Sequence, residues 1–240
     1  MESFQLIDYS LKEDGAAGDW RLFIQGSWHF RRLLEEAFPA LFFMDATLSL
    51  PSDFSWGVQF KPLSHSTCDL LEDYLSLLRD AVYRRGVLDL CFALSFQSSD
   101  RAWDDAEKRK TDDRSEAKRI AWKLTDFIRR YPIYRDSSVI AAVPSYSAGQ
   151  SRQSAFWLKW IARETGLYNA AGFLEYSRQD SAMKAETSIF AEKSIVLVDD
   201  LSHPEIGLDK AEKALRQAGA AAIFGLTADG LIKEQRDDAG

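Results

Sequence analysis

Two adjacent carboxylates, Asp199 and Asp200, directly follow the apolar run Ser194-Ile195-Val196-Leu197-Val198, and residues of that type in that place could hold a polar ligand. A run so rich in Ile and Val predicts a strand buried on both faces, as in parallel sheets covered by helices. The acids then fall at the strand's carboxyl end, the edge at which open α/β sheets bind ligands. Leu208, Ala211, Ala214, Leu215 and Ala218 recur at helical spacing, Gly219 is placed to end that helix, and Ala221-Ala222-Ile223-Phe224-Gly225-Leu226 reads as the next strand. Together they predict a βαβ crossover whose ligand-facing loop spans Leu201 to Gly207. Acids also serve as helix N-caps and turn residues in any doubly wound α/β protein, so this pattern alone is compatible with a purely structural role.

Upstream, Ser138-Val139-Ile140-Ala141-Ala142-Val143-Pro144 predicts another buried strand. It leads into the small-residue loop Ser145-Tyr146-Ser147-Ala148-Gly149-Gln150-Ser151 and a helix over about Arg152 to Thr165, closed by Gly166. Between the two units, Leu174 to Lys193 is polar and without sustained periodicity, which reads as a long loop.

These units resemble the signature of type I phosphoribosyltransferases, in which an apolar strand ends in two acids, enters a Thr-Thr-Gly-x-Thr loop and runs into a helix closing on Ala-Gly-Ala. The strand, both acids, Leu208 and Ala218-Gly219-Ala220 fit without a gap, and the resemblance covers about Ser137 to Ala228. Val143-Pro144 and Arg152-x-x-Ala155-Phe156 look most like the competence-associated branch. The resemblance implies an α/β fold, a parallel sheet with flanking helices, beside a mixed α/β amino-terminal region. It implies that Asp199 and Asp200 take the ribose 2- and 3-hydroxyls as the catalytic pair, and that Ser145, Tyr146, Ser147, Ala148 and Gly149 cradle a pyrophosphate. Ser202, His203, Ile206 and Gly207 would surround the 5-phosphate. Mg²⁺ would arrive on the pyrophosphate, without a metal site of the protein's own, and the 174–193 loop would close over the reacting centre.

The phosphate loop departs from the family pattern, reading Ser202-His203-Pro204-Glu205-Ile206-Gly207. Pro204 removes a backbone donor, and a carboxylate about 5 Å from a phosphate charge opposes it by about 3 kcal/mol at an effective dielectric of about 20. The favoured reading is a divergent protein that binds a phosphoribosyl or nucleotide ligand without ordinary transferase activity. Two alternatives stay open: an active phosphoribosyltransferase acting on a nitrogenous acceptor, and an effector or regulatory subunit of a larger assembly such as an antiphage system.

Composition frames these readings. A chain of 240 residues with 46% hydrophobic content can bury a substantial core. No stretch is long and apolar enough for a transmembrane helix, and Met1-Glu2-Ser3-Phe4-Gln5 lacks the parts of a signal peptide, so a cytoplasmic protein is expected. Cys68 and Cys91 read as buried thiols, while His29, His65 and His203 lack ligand spacing. A net charge of −7 argues against a generic nucleic-acid coat. Oligomerisation and a protein partner on the amino-terminal region are both compatible with the sequence.

The chain is expected to divide into a mixed α/β region over 1–100 and a core over 114–230, joined by the charged stretch Ser98 to Asp113. In the first part, strands are expected at Trp20 to Ile24, Ala40 to Met44, Trp56 to Phe60 and Val87 to Phe96, and helices at Trp28 to Phe38 and Asp69 to Arg85. The second of these helices would place Leu70, Leu71, Tyr74, Leu77, Leu78 and Ala81 on one face. Ile120, Ala121, Leu124, Phe127 and Ile128 mark a further helix. Its cations, Lys108, Arg109, Lys110, Arg114, Lys118, Arg119 and Lys123, are interleaved with Asp104, Asp105, Glu107, Asp112, Asp113 and Glu116, the pattern of a solvated helix face.

Overall fold

A computed structural model describes residues 2–14, 18–45, 50–86, 88–94, 96–98, 114–144, 151–177, 179, 181–202 and 207–232. The chain forms two compact units, Phe4–Tyr83 and a second that begins at Arg84 and includes the first three residues.

In the first unit, β1 (Glu2–Asp14) pairs antiparallel with β2 (Asp19–Gly26), β2 with β4 (Trp56–Phe60), and β4 with the short β3 (Met44–Asp45). Alternation makes β4 amphipathic: Trp56, Val58 and Phe60 are buried while Gly57 and Gln59 are less so. Helix α1 (His29–Ala37) buries Phe30, Leu33 and Leu34, and α2 (His65–Arg79) buries Cys68, Leu71, Tyr74, Leu75, Leu77 and Leu78. The two helices meet where the Tyr74 hydroxyl donates to the Leu33 carbonyl at 3.3 Å.

Three expectations for this region change. Helix α2 stops at Arg79, and Val82–Arg85 is a strand, β5, because a run of Val-Tyr-Arg-Arg gains a ladder after the turn at Asp80 and Ala81. Leu70 lies off the apolar stripe and is 62% exposed. Ala40 to Phe43 is irregular, leaving only Met44–Asp45 in a ladder, whereas Glu2–Asp14 forms β1 without a strand signal in its sequence.

The second unit is built on a parallel sheet. β6 (Leu90–Ala93), β13 (Ala222–Ile232), β12 (Ser194–Ser202), β8 (Val139–Ala142) and β9 (Tyr168–Asn169) lie side by side in that order, and β7 (Phe96–Ser98) pairs with the far end of β13. β12 and β8 are parallel neighbours, with Ile195 opposite Val139 and Val198 opposite Ala142. Ile195, Val196, Leu197 and Val198 are all fully buried, as their two-faced apolar run requires. β6 and β7 pair with β13 in this sheet, within the compact unit that begins at Arg84.

On one face pack α3 (Arg114–Arg130), the short α4 (Pro132–Arg135) and α5 (Ser151–Thr165). Phe92, Phe127, Tyr131, Tyr134 and Phe224 form an aromatic cluster there, with centroid separations of 5.3 to 6.5 Å. On the other face, Leu208, Ala211, Ala214 and Leu215 of α7 (Gly207–Gln217) join Val139, Ala141, Ile195, Leu197 and Ile223 in one core. Gly219 ends α7 with φ +85°, a left-handed conformation that glycine adopts at low cost. Gly225 is needed for space: a Cβ there would stand 2.5 Å from Leu88 Cδ1 and 2.8 Å from Cys91 Sγ.

The segment from Leu174 to Lys193 is not one long loop. It contains an antiparallel hairpin of β10 (Leu174–Ser177) and β11 (Ala182–Ala185), then a turn of helix, α6 (Thr187–Phe190). Leu174, Met183 and Phe190 are buried in the core shared with α7, so a few anchoring side chains in a polar sequence suffice to pack it down. No helix of the described residues is long and apolar enough to cross a membrane.

Candidate functional site

Side chains along β12 alternate between the two layers, so Asp199 follows Ile195 and Leu197 onto the α7 face. Three elements converge on it. β12 places Asp199 opposite Thr227 of β13, and the Val143 amide at the end of β8 donates to the Val198 carbonyl at 3.0 Å. Gly207 opens α7, and a Cβ built on it would stand 3.2 Å from Val143 Cγ1 and 3.6 Å from Asp199 Oδ2. A half-buried carboxylate thus lies beside the first turn of a helix and the carboxyl end of β8.

The acids do not terminate their strand. β12 runs on to Ser202, and its ladder with β13 continues through Leu201 opposite Asp229 and Ser202 opposite Gly230. The connection expected over Leu201 to Gly207 shrinks accordingly, with Ser202 in the strand and Gly207 in the helix. Asp200 sits one ladder position beyond Asp199. The loop of Ser145, Tyr146, Ser147, Ala148 and Gly149, together with His203 and Ile206, lies outside the described residues.

Behind Asp199 the environment is unusually closed for ionisable groups. The Cys91 thiol is fully buried and its pKa is pushed up to about 12, first by burial and then by the negative charge of Asp199, with Arg84 pulling the other way. Arg84 of β5 is itself only 2% exposed, and burial lowers its guanidinium pKa. Thr227 is also fully buried, its hydroxyl reaching the Phe92 carbonyl at 3.5 Å. The Cys91 thiol therefore feels both the Asp199 carboxylate and the Arg84 guanidinium. The sequence marked Cys91 as a buried thiol but had no signal for Arg84, whose strand was read as the end of a helix.

Among the described residues, no three His, Cys, Asp or Glu side chains come together in a way that could hold a metal ion. The described part of the chain presents a hydrogen-bond acceptor, Asp199, suited to a hydroxyl, beside the start of a helix. No family model matches the chain, and comparisons with curated proteins and with solved structures return no significant match.

Proposed function

We propose that this chain binds a phosphoribosyl or nucleotide ligand at the carboxyl ends of β8 and β12, as a divergent phosphoribosyltransferase-like protein without ordinary transferase activity. The observation that supports the reading most is the approach of Asp199 Oδ2 to Gly207, the first residue of α7. That arrangement sets a hydroxyl-accepting carboxylate directly beside a helix start, whose backbone amides suit a phosphate. The parallel neighbours β8 and β12 add support, since ligands of open α/β sheets collect beyond such strands. In this reading Mg²⁺ arrives with the diphosphate of the ligand, and Asp199 orients the ribose.

Weak affinity follows from the loop's own residues. Pro204 has no amide proton to offer, and Glu205 brings a charge of the ligand's own sign. Titration calorimetry with phosphoribosyl pyrophosphate, with and without Mg²⁺, is expected to show weak binding that Asp199→Asn abolishes. The double change Pro204→Thr, Glu205→Gly is expected to strengthen it. Tight binding by the unchanged chain, or product formation with a nitrogenous base, would show that the phosphate site is intact. Binding indifferent to Asp199→Asn would move the ligand elsewhere.

A further inference from the structure

The outer surface of α3 and α5, on the sheet face opposite Asp199 and α7, carries aromatic rings that the core does not use. The two helices run side by side in the same direction, Trp122 meeting Trp160 and Arg129 reaching Glu164 further along. Trp122 is 50% exposed and Phe156 37% exposed. Trp160 lies between them, 5.7 Å from the Trp122 centroid and 6.5 Å from Phe156, with the Arg163 guanidinium 4.4 Å over its ring. Exposed Lys118, Arg119, Lys123 and Lys159 flank these rings.

On a chain of net charge −7 this face is locally positive. Arg130 is answered by Asp126 and Arg129 by Glu164, but Lys118, Lys123 and Lys159 enter no ion pair among the described residues. Two copies of such a face would repel, so the charge disfavours self-association through it. Rings open on one side and edged by cations complement a flexible polyanion that carries planar apolar groups of its own.

We propose that the α3–α5 face binds single-stranded nucleic acid, with bases stacked on Trp122 and Phe156 and backbone phosphates met by Lys118, Lys123 and Lys159. Stacking needs an unpaired base and accepts any of them, so the expected binding is weakly sequence-dependent and stronger for single strands than for duplex. Base stacking and phosphate contacts do not depend on a 2′-hydroxyl, so DNA and RNA strands should bind alike. The site lies on the sheet face opposite Asp199 and is independent of it.

The test is fluorescence anisotropy of the full chain with labelled oligo(dT) and oligo(U) of about 15 nucleotides, a length near the upper range of single-strand sites. Binding should weaken with salt, with a log–log slope of about −2 for about three neutralised phosphates. Trp122→Ala should lower affinity at least about fivefold, the loss typical of one stacked base. Lys118→Glu with Lys123→Glu should abolish binding, while thermal unfolding followed by circular dichroism stays near that of the native chain. The surface charge variant tests the proposal even where Trp122→Ala destabilises α3. Absence of binding at low salt, or full binding by the charge variant, would overturn it. So would equal affinity for duplex, or competition by poly-glutamate as effective as by oligo(dT), which would identify an acidic protein segment as the occupant.

Discussion

Asp199 Oδ2 stands 3.6 Å from the point where a side chain on Gly207 would begin, and Val143 Cγ1 stands 3.2 Å from the same point. Residues on two neighbouring strands therefore close around the first residue of a helix. A single methyl at position 207 requires Val143 to yield by a few tenths of an ångström, and a longer branched side chain presses further on the same two groups.

Gly207→Ala is accordingly expected to change the unfolding free energy by less than about 1 kcal/mol, because a helix start tolerates Ala and the valine can shift. Gly207→Leu is expected to cost about 1–3 kcal/mol through overpacking. Urea denaturation of both variants checks this. Equal stability of the Leu variant would mean that the strand ends and the helix are not in contact as described.

A second prediction concerns the tie between α4 and the sheet. The buried Tyr134 hydroxyl donates to the Gly225 carbonyl at 2.7 Å, within the aromatic cluster of Phe92, Phe127, Tyr131 and Phe224. Tyr134→Phe keeps the ring packing and removes only the donor, so it is expected to lower stability by about 1 kcal/mol. A midpoint unchanged in urea would show that another donor serves this carbonyl.

The third follows from Cys91. Burial and the nearby Asp199 charge hold its thiol up at about 12, above the value of about 8.5 for a thiol in an unfolded chain. Below the unfolded value both states keep the proton and the stability is fully present. As pH rises above it, the unfolded chain releases a proton that the folded chain retains, so stability falls by about 1.4 kcal/mol per unit until the folded thiol titrates. Cys91→Ala should remove that part of the alkaline slope, read as the difference between the two proteins' unfolding free energies from about pH 8 to about pH 10. An identical slope in both would place Cys91 in contact with water.

Much of the second unit was legible in the sequence because its signals are local and strong. Ile195 to Val198 and Val139 to Val143 are apolar on both faces, and such strands have little choice but a covered parallel sheet. The stop of α7 at Gly219 and of α5 at Gly166 was legible for the same reason, since both glycines take positive φ at helix ends.

What the sequence did not determine depends on partners remote along the chain. β12 continues past its two acids to Ser202 because β13 runs equally far beside it, a match no local pattern announces. The 174–193 stretch becomes a hairpin because Leu174, Met183 and Phe190 find a core that α7 and the sheet provide. β6 joins the parallel sheet because its four buried residues pair with β13, more than a hundred positions later. The same holds for function. The sequence by itself named Asp199, through its position after an apolar strand. Only the tertiary structure placed Gly207 and Val143 against that carboxylate, set buried Cys91 within reach of its charge, and brought Trp122 beside Trp160, because contacts between elements depend on packing across the fold and leave no periodic trace in the chain.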